Sequence, residues 1–191
     1  MSLEPLIAAI LAMALHLAPD VAREHVTAAV AAAHAHHAAL QLSEHEAAEL
    51  LLGMAYIESR YIPTALSRRE PQAPGGYRRV TGIWAAHTPP PRARSPWFCG
   101  PLQAGGRVPW RVCQRMRTDL AYGYAAGAAE LGVWYNDLAC RSRPRDARLS
   151  CALHGYGGGY AAVAAGTHAY PAKVRRAARR IAGLAQRRAL N

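Results

Sequence analysis

The chain is 191 residues long, enough for one domain with appendages and a real core. Apolar residues make up 51% of it, but Ala dominates and Phe occurs once, which argues against a sheet of β-branched residues and for closely packed helices. A net charge of +11 calls for an anionic partner (nucleic acid, membrane or bacterial wall) without choosing among them.

The charge is unevenly spread. Residues 1–50 hold Glu4, Asp20, Glu24, Glu44, Glu46 and Glu49 against Arg23 alone, whereas no acid follows Arg148. Leu3 to Leu17 is apolar, but no base precedes it and Glu4 sits where a signal peptide needs positive charge. At about 20 residues for a bilayer span it is also too short to cross one. The expectation is a buried or partner-docking helix. Pro19-Asp20 ends it and caps a second helix over roughly 20–40. Ser43 and Glu46 form a capping-box pattern, so a third helix is expected from Glu44 to about Arg60, stopped by Pro63.

Residues 61–110 are rich in Pro, Gly and Arg, with a short β-ribbon expected over Tyr77–Trp84. Helical pattern returns from Thr118 to about Ala139. Gly155 to Gly159 reads as a glycine-rich turn. A last helix starts near Pro171, with Val174, Ala177, Ala178, Ile181, Leu184 and Ala185 on one face. Lys173, Arg175, Arg176, Arg179, Arg180, Arg187 and Arg188 surround that stripe. This face is either solvated or attracted to an anionic wall or membrane; specific nucleic-acid binding lacks a motif or interleaved aromatics.

Cys99, Cys113, Cys140 and Cys151 lack the paired spacing of a zinc site. An even count suggests disulfides, with Cys99–Cys113 and Cys140–Cys151 the shortest-loop pairing of three, and free buried thiols the alternative. His34, His36, His37 and His45 hint at metal, but no nearby Cys or well-spaced acid completes a set. Gly157–Gly159 has neither the frame nor the Lys of a phosphate loop. No metal and no cofactor are expected.

Ala47, Leu50, Leu51, Met54 and Glu58 recur at three- and four-residue intervals, which puts the Glu58 carboxylate on the apolar face near a helix C-terminus. Desolvation and the negative end of the helix dipole both disfavour its ionised form, as a general acid requires. The alternative is a surface Glu at a frayed helix end, paired with Arg60 or Arg68.

Glu58-Ser59 with Pro63, Ala65 and Ser67 resembles the Glu-Ser motif of lytic transglycosylases of the goose-lysozyme-like superfamily. Gly100-Pro101-Leu102-Gln103 is similar to that family's Gly-Leu-Met-Gln motif, and Asp119–Leu131 with Gly127 to its next helix. Tyr156-Gly157-Gly158-Gly159 resembles the Tyr-Asn-Ala-Gly turn, and Tyr170-Pro171-Ala172-Lys173-Val174 the closing Tyr-Val-x-x-Val. Order and coarse spacing agree over residues 44–175. Gly157 departs from the usual Asn, Pro101-Leu102 from Leu-Met, and the stretch from Ser67 to Gly100 is longer than the family has.

The resemblance implies a mainly α, lysozyme-like domain over 43–191, with an irregular or β-ribbon insertion about 68–99 and a helical extension over 1–42. It implies cleavage of peptidoglycan between N-acetylmuramic acid and N-acetylglucosamine to give 1,6-anhydro-muramyl ends. Glu58 would be the acid and then the base. Ser59 would position substrate, Gln103 would hydrogen-bond a sugar, and Tyr156 and Tyr170 would hold or polarise Glu58. The two tyrosines read equally well as core aromatics, and Gln103 as a loop cap. Trp84, Trp97 and Trp110 either stack on sugars or anchor the loop. Ordinary glycosidases need two carboxyl groups; between Glu58 and Asp119 the chain offers only Glu70, beside Arg68 and Arg69.

Such an enzyme would work outside the cytoplasm, in the periplasm or wall, or in a phage particle. Its acidic N-terminal helices would be free to dock a protein partner. Two other classes stay open. One is a goose-type hydrolase using Glu70 or an acid from 119–146 as base, and the other a non-catalytic docking piece of a phage particle or secretion machine.

Overall fold

The computed structural model describes residues 23–61, 65–72, 76–83, 97–106, 108–166 and 169–189. The expected Leu3–Leu17 helix and Trp84 lie outside them. Six helices run through the described residues: α1 (Arg23–His36), α2 (Glu44–Ser59), α3 (Trp110–Thr118), α4 (Leu120–Asn136), α5 (Arg145–Ala165) and α6 (Tyr170–Ala189). A short 3-10 turn, Ala38–Leu40, links the first two. A small antiparallel sheet, β1 (Ala65–Gln72), β2 (Gly76–Ile83), β3 (Trp97–Cys99) and β4 (Ala104–Gly106), has the order β2-β1-β3-β4. The protein is mainly α.

α2 is the central helix. Ser43 Oγ accepts the Glu46 N–H while the Glu46 carboxylate accepts the Ser43 N–H at 2.8 Å, the reciprocal capping box. That bond, followed by the Arg145 guanidinium 2.8 Å away, holds the Glu46 carboxyl below its usual pKa. From Ala47 to Ala55 all but one residue are buried, and the helix packs on α1 and on α6. Gly53 sits at the α2–α6 crossing, where a Cβ would lie 3.0 Å from both Ala178 N and Val174 O. Close helix approach, as the Ala-rich composition implies, is realised here.

α1 is not an appendage. Val26, Ala29, Val30 and Ala33 join Leu40, Leu51, Leu52, Tyr124, Leu131 and Tyr135 in one core. His25 Nδ1 lies 3.2 Å from the Tyr124 hydroxyl, and the Tyr135 hydroxyl donates to Gln41 Oε1 at 3.0 Å. A boundary at residues 42/43 therefore does not separate two cores. The physical reason is that the apolar stripe of α1 is covered by α4 and α2.

α3 and α5 depart from the sequence expectation. No element is expected over residues 111–117, between the irregular stretch and the helix expected from Thr118, yet Trp110–Thr118 is a helix burying Cys113 and Met116 one turn apart. The expected turn at Gly155–Gly159 lies instead within α5. Residues 155–158 are helical, and only Gly159 breaks the pattern (φ 69°, ψ −165°), a conformation open to Gly alone. Arg148 on α5 donates to Tyr135 O at 2.7 Å and to Asn136 Oδ1 at 2.7 Å, which closes the carbonyl end of α4.

The β-ribbon is more extensive than Tyr77–Trp84. Its register runs from Ala65↔Ile83 to Gln72↔Gly76, and β3 pairs with β1 through Leu66↔Cys99. Two disulfides brace this half of the chain. Cys99–Cys113 ties β3 to α3, and Cys140–Cys151 ties the α4–α5 connection to α5. No helix among the described residues is long and apolar enough to cross a membrane.

Candidate functional site

The site grows from the end of α2. Glu58 is half-buried in its last turn. The chain then leaves through two successive left-handed residues, Arg60 (φ 55°) and Tyr61 (φ 63°). Side-chain-bearing residues enter that region at a cost of about 1 kcal/mol or more each. Here the Arg60 N–H is bonded to Tyr56 O at 3.3 Å, and the Tyr61 N–H to Ala55 O at 3.4 Å. The Tyr61 ring is buried against His25 and Tyr56, which holds the turn from the other side. Burial pushes the Tyr61 hydroxyl far above its ordinary pKa, so it stays neutral.

Ser59 is 6% exposed, and its Oγ lies 2.7 Å from Pro101 O and 3.1 Å from Ala55 O. The hydroxyl is committed to backbone carbonyls and positions the neighbouring turn against α2.

That turn is Gly100–Gln103, which joins β3 to β4. Its Gln103 has φ 50°, is 2% exposed, and donates from Nε2 to Gly100 O at 3.0 Å. Gln103 is thus buried within its own turn, with its amide nitrogen on a backbone carbonyl. Leu102 is fully buried, and a Cβ at Gly127 on α4 would overlap its side chain. The small residue at 127 is what lets α4 lie against the turn.

The two tyrosines complete the group. Tyr156 on α5 donates from its hydroxyl to Leu102 O at 2.7 Å. Its ring stacks on that of Tyr170, with centroids 6.3 Å apart and planes 12° from parallel. Tyr170, in the first turn of α6, is buried, and a Cβ at Gly157 would lie 2.8 Å from its ring. Five separated stretches, around residues 59, 101, 127, 156 and 170, are therefore linked through the Gly100–Gln103 turn and the Tyr156–Tyr170 stack.

Comparison of the chain with models of protein families, with characterised proteins and with solved structures gives no match.

Three acids between 119 and 137 are engaged structurally. Asp119 caps α4 by accepting the Tyr122 N–H at 2.9 Å, and Glu130 accepts the Gly105 N–H at 2.9 Å. Asp137 accepts the Tyr160 hydroxyl at 2.6 Å, which holds its carboxyl below the usual range. Glu70 lies on β1, opposite Arg78 in the register; its side chain is outside the described residues, as is that of Trp97. Trp110 opens α3 and packs beside the Cys99–Cys113 cluster.

The histidines of the first half are spread over helix ends. His34 Nδ1 lies 3.0 Å from Glu44 Oε1, His37 Nδ1 lies 3.0 Å from Leu42 O, and His45 contacts Glu49 at 2.8 Å. No metal-binding group of three such residues occurs among the described residues. Sequence reasoning missed the His25–Tyr124–Tyr61 cluster behind the site. The buried face of α1 carried its only signal, since His25 falls one residue before Val26 on that stripe.

Proposed function

We propose that the chain cleaves peptidoglycan glycan strands as a lytic transglycosylase, with Glu58 as its acid and base. The observation that supports this reading is that separated motifs are linked through the Gly100–Gln103 turn, which Ser59, the residue after Glu58, contacts. The Ser59–Pro101 contact at 2.7 Å spans 42 residues, and the Tyr156–Leu102 bond at 2.7 Å spans 54. Each of these stretches resembles the family on sequence grounds, and their meeting in space is independent of that resemblance.

In this reading the Glu58 carboxyl gives its proton to the glycosidic oxygen as the C1–O bond breaks. The acetamido group of the muramic residue assists departure. The carboxylate of Glu58 then takes the proton of the C6 hydroxyl as that oxygen closes on C1, leaving a 1,6-anhydro end with no water consumed. One carboxyl group suffices, in keeping with the engagement of Asp119, Glu130 and Asp137. Ser59, Gln103 and Tyr156 would hold the turn and helix end that form the cleft wall. Two disulfides favour work in an oxidising, extracytoplasmic setting, and the net charge of +11 favours retention on an anionic wall.

The test is mass spectrometry of fragments from purified peptidoglycan treated with the wild type and with Glu58→Gln. Anhydro-muramyl ends from the wild type alone are expected. Reducing ends dependent on Glu58 would make the chain a hydrolase. No fragments from folded wild type would leave a non-catalytic docking role.

A further inference from the structure

A groove of about 240 Å³ opens beside the end of α2, where α6 crosses it. Tyr56, Ile57 and Arg60 form one wall, and Lys173, Arg176 and Arg180 the other. The last three recur at three- and four-residue spacing and so share one face of α6. They flank the stripe of Val174, Ala177 and Ile181, all buried. The Gly53 contact brings the two helix backbones close together, and the groove has Arg60 on one wall and the cations of α6 on the other.

Four cations line this groove and no carboxylate does. Among the described residues the side chains of Lys173, Arg176 and Arg180 make no hydrogen bond or ion pair. Their neighbour Arg175 is different, since its guanidinium donates to Asp146 O at 2.7 Å and to Ser150 Oγ at 2.8 Å. The Arg60 guanidinium lies over the Tyr56 ring, 4.1 Å from its centre, which fixes one fork at the groove's edge. The amide N–H groups of Arg60 and Tyr61 already close the carbonyl end of α2, while Lys173 sits in the first turn of α6, at its positive pole. Like charges crowded into a concavity repel, and an anion relieves that repulsion.

We propose that this groove binds a phosphoryl group, of diphosphate size, carried by a free phosphate compound or by a lipid headgroup. Three guanidinium forks and an ammonium match the oxygens of a di- or trianion better than a single carboxylate. The groove is too small for a nucleic-acid duplex, and the Tyr56 ring and Ile57 give it one apolar side. This site does not depend on the glycan reading.

Isothermal calorimetry with inorganic pyrophosphate, at an ionic strength held by sodium chloride, tests it. The wild type is expected to bind with a Kd of about a millimolar or below, and Arg176→Gln/Arg180→Gln to bind roughly tenfold more weakly. Arg111→Gln/Arg179→Gln loses the same charge from exposed positions outside the groove and should bind like the wild type. Absence of binding to the wild type, or equal loss in both double variants, would overturn the proposal by reducing it to net charge. Sedimentation with phosphatidylglycerol vesicles, reversed by pyrophosphate, assigns the source to a lipid headgroup. Binding of pyrophosphate with no vesicle sedimentation assigns it to a free phosphate compound.

Discussion

Ser59 and Gln103 both donate side-chain hydrogen bonds to backbone carbonyls of the Gly100–Gln103 turn. Replacing Ser59 by Ala leaves Pro101 O without its buried donor, a loss of about 1–3 kcal/mol. The same change lets the Gly100–Gln103 turn drift from Glu58. Ser59→Ala is therefore expected to lower both the urea midpoint and the rate of peptidoglycan cleavage, whereas a purely structural role would lower the midpoint alone. His25 gives a second prediction at this scale. Burial lowers its pKa below 6.5, and nearby Glu24 only partly offsets this. The unfolded chain thus takes up a proton near pH 6.5 that the folded chain refuses. Stability is complete above that pH and falls as pH drops toward the lower folded value, by up to about 1.4 kcal/mol per unit. Thermal midpoints from pH 7.5 to about 5.5 should fall in the wild type and stay flatter in His25→Gln; identical slopes would refute the assignment.

Among the elements, those with an explicit start signal were legible in the sequence. Ser43 and Glu46 announced α2, and Pro171 announced α6. α5 was hidden because its glycines were read as turn formers. A Cβ at Gly155 would overlap the Trp134 ring, and one at Gly157 would meet Tyr170, so those glycines answer to partners on other helices. No local pattern carries that information. The same holds for the site: the order of its motifs was readable, but the burial of Ser59 and Gln103 depends on how α4 and α5 cover the turn. Gly53 is the element-scale test. In Gly53→Ala the methyl group would press on the α6 backbone, 3.0 Å away, and the helices must part. A loss of about 1–3 kcal/mol is expected in chemical unfolding, together with weaker pyrophosphate binding as Arg60 separates from Arg176.

For the whole molecule, stability rests on one shared core plus two local covalent loops. Removing the Cys140–Cys151 bridge, which spans 11 residues, with a double Cys→Ala change should cost about 3 kcal/mol in urea unfolding. Cleavage of peptidoglycan is expected to slow as salt rises, because screening beyond about 10 Å at 0.1 M weakens the pull of the basic surface on the wall. An activity independent of salt would detach the charge from the reading.

The place of α1 has a consequence for how the protein is made. One of its two covering helices is α4, and the His25–Tyr124 contact joins residues 99 apart in the chain. A ribosome adding about 5–20 residues per second needs roughly 5–20 seconds to get from one to the other. During that interval the apolar face of α1 has α2 but not α4 to pack on, and the nascent chain cannot close its core. A chaperone or an export channel that engages the emerging N-terminal half would meet it still open, and folding would wait until α4 has followed.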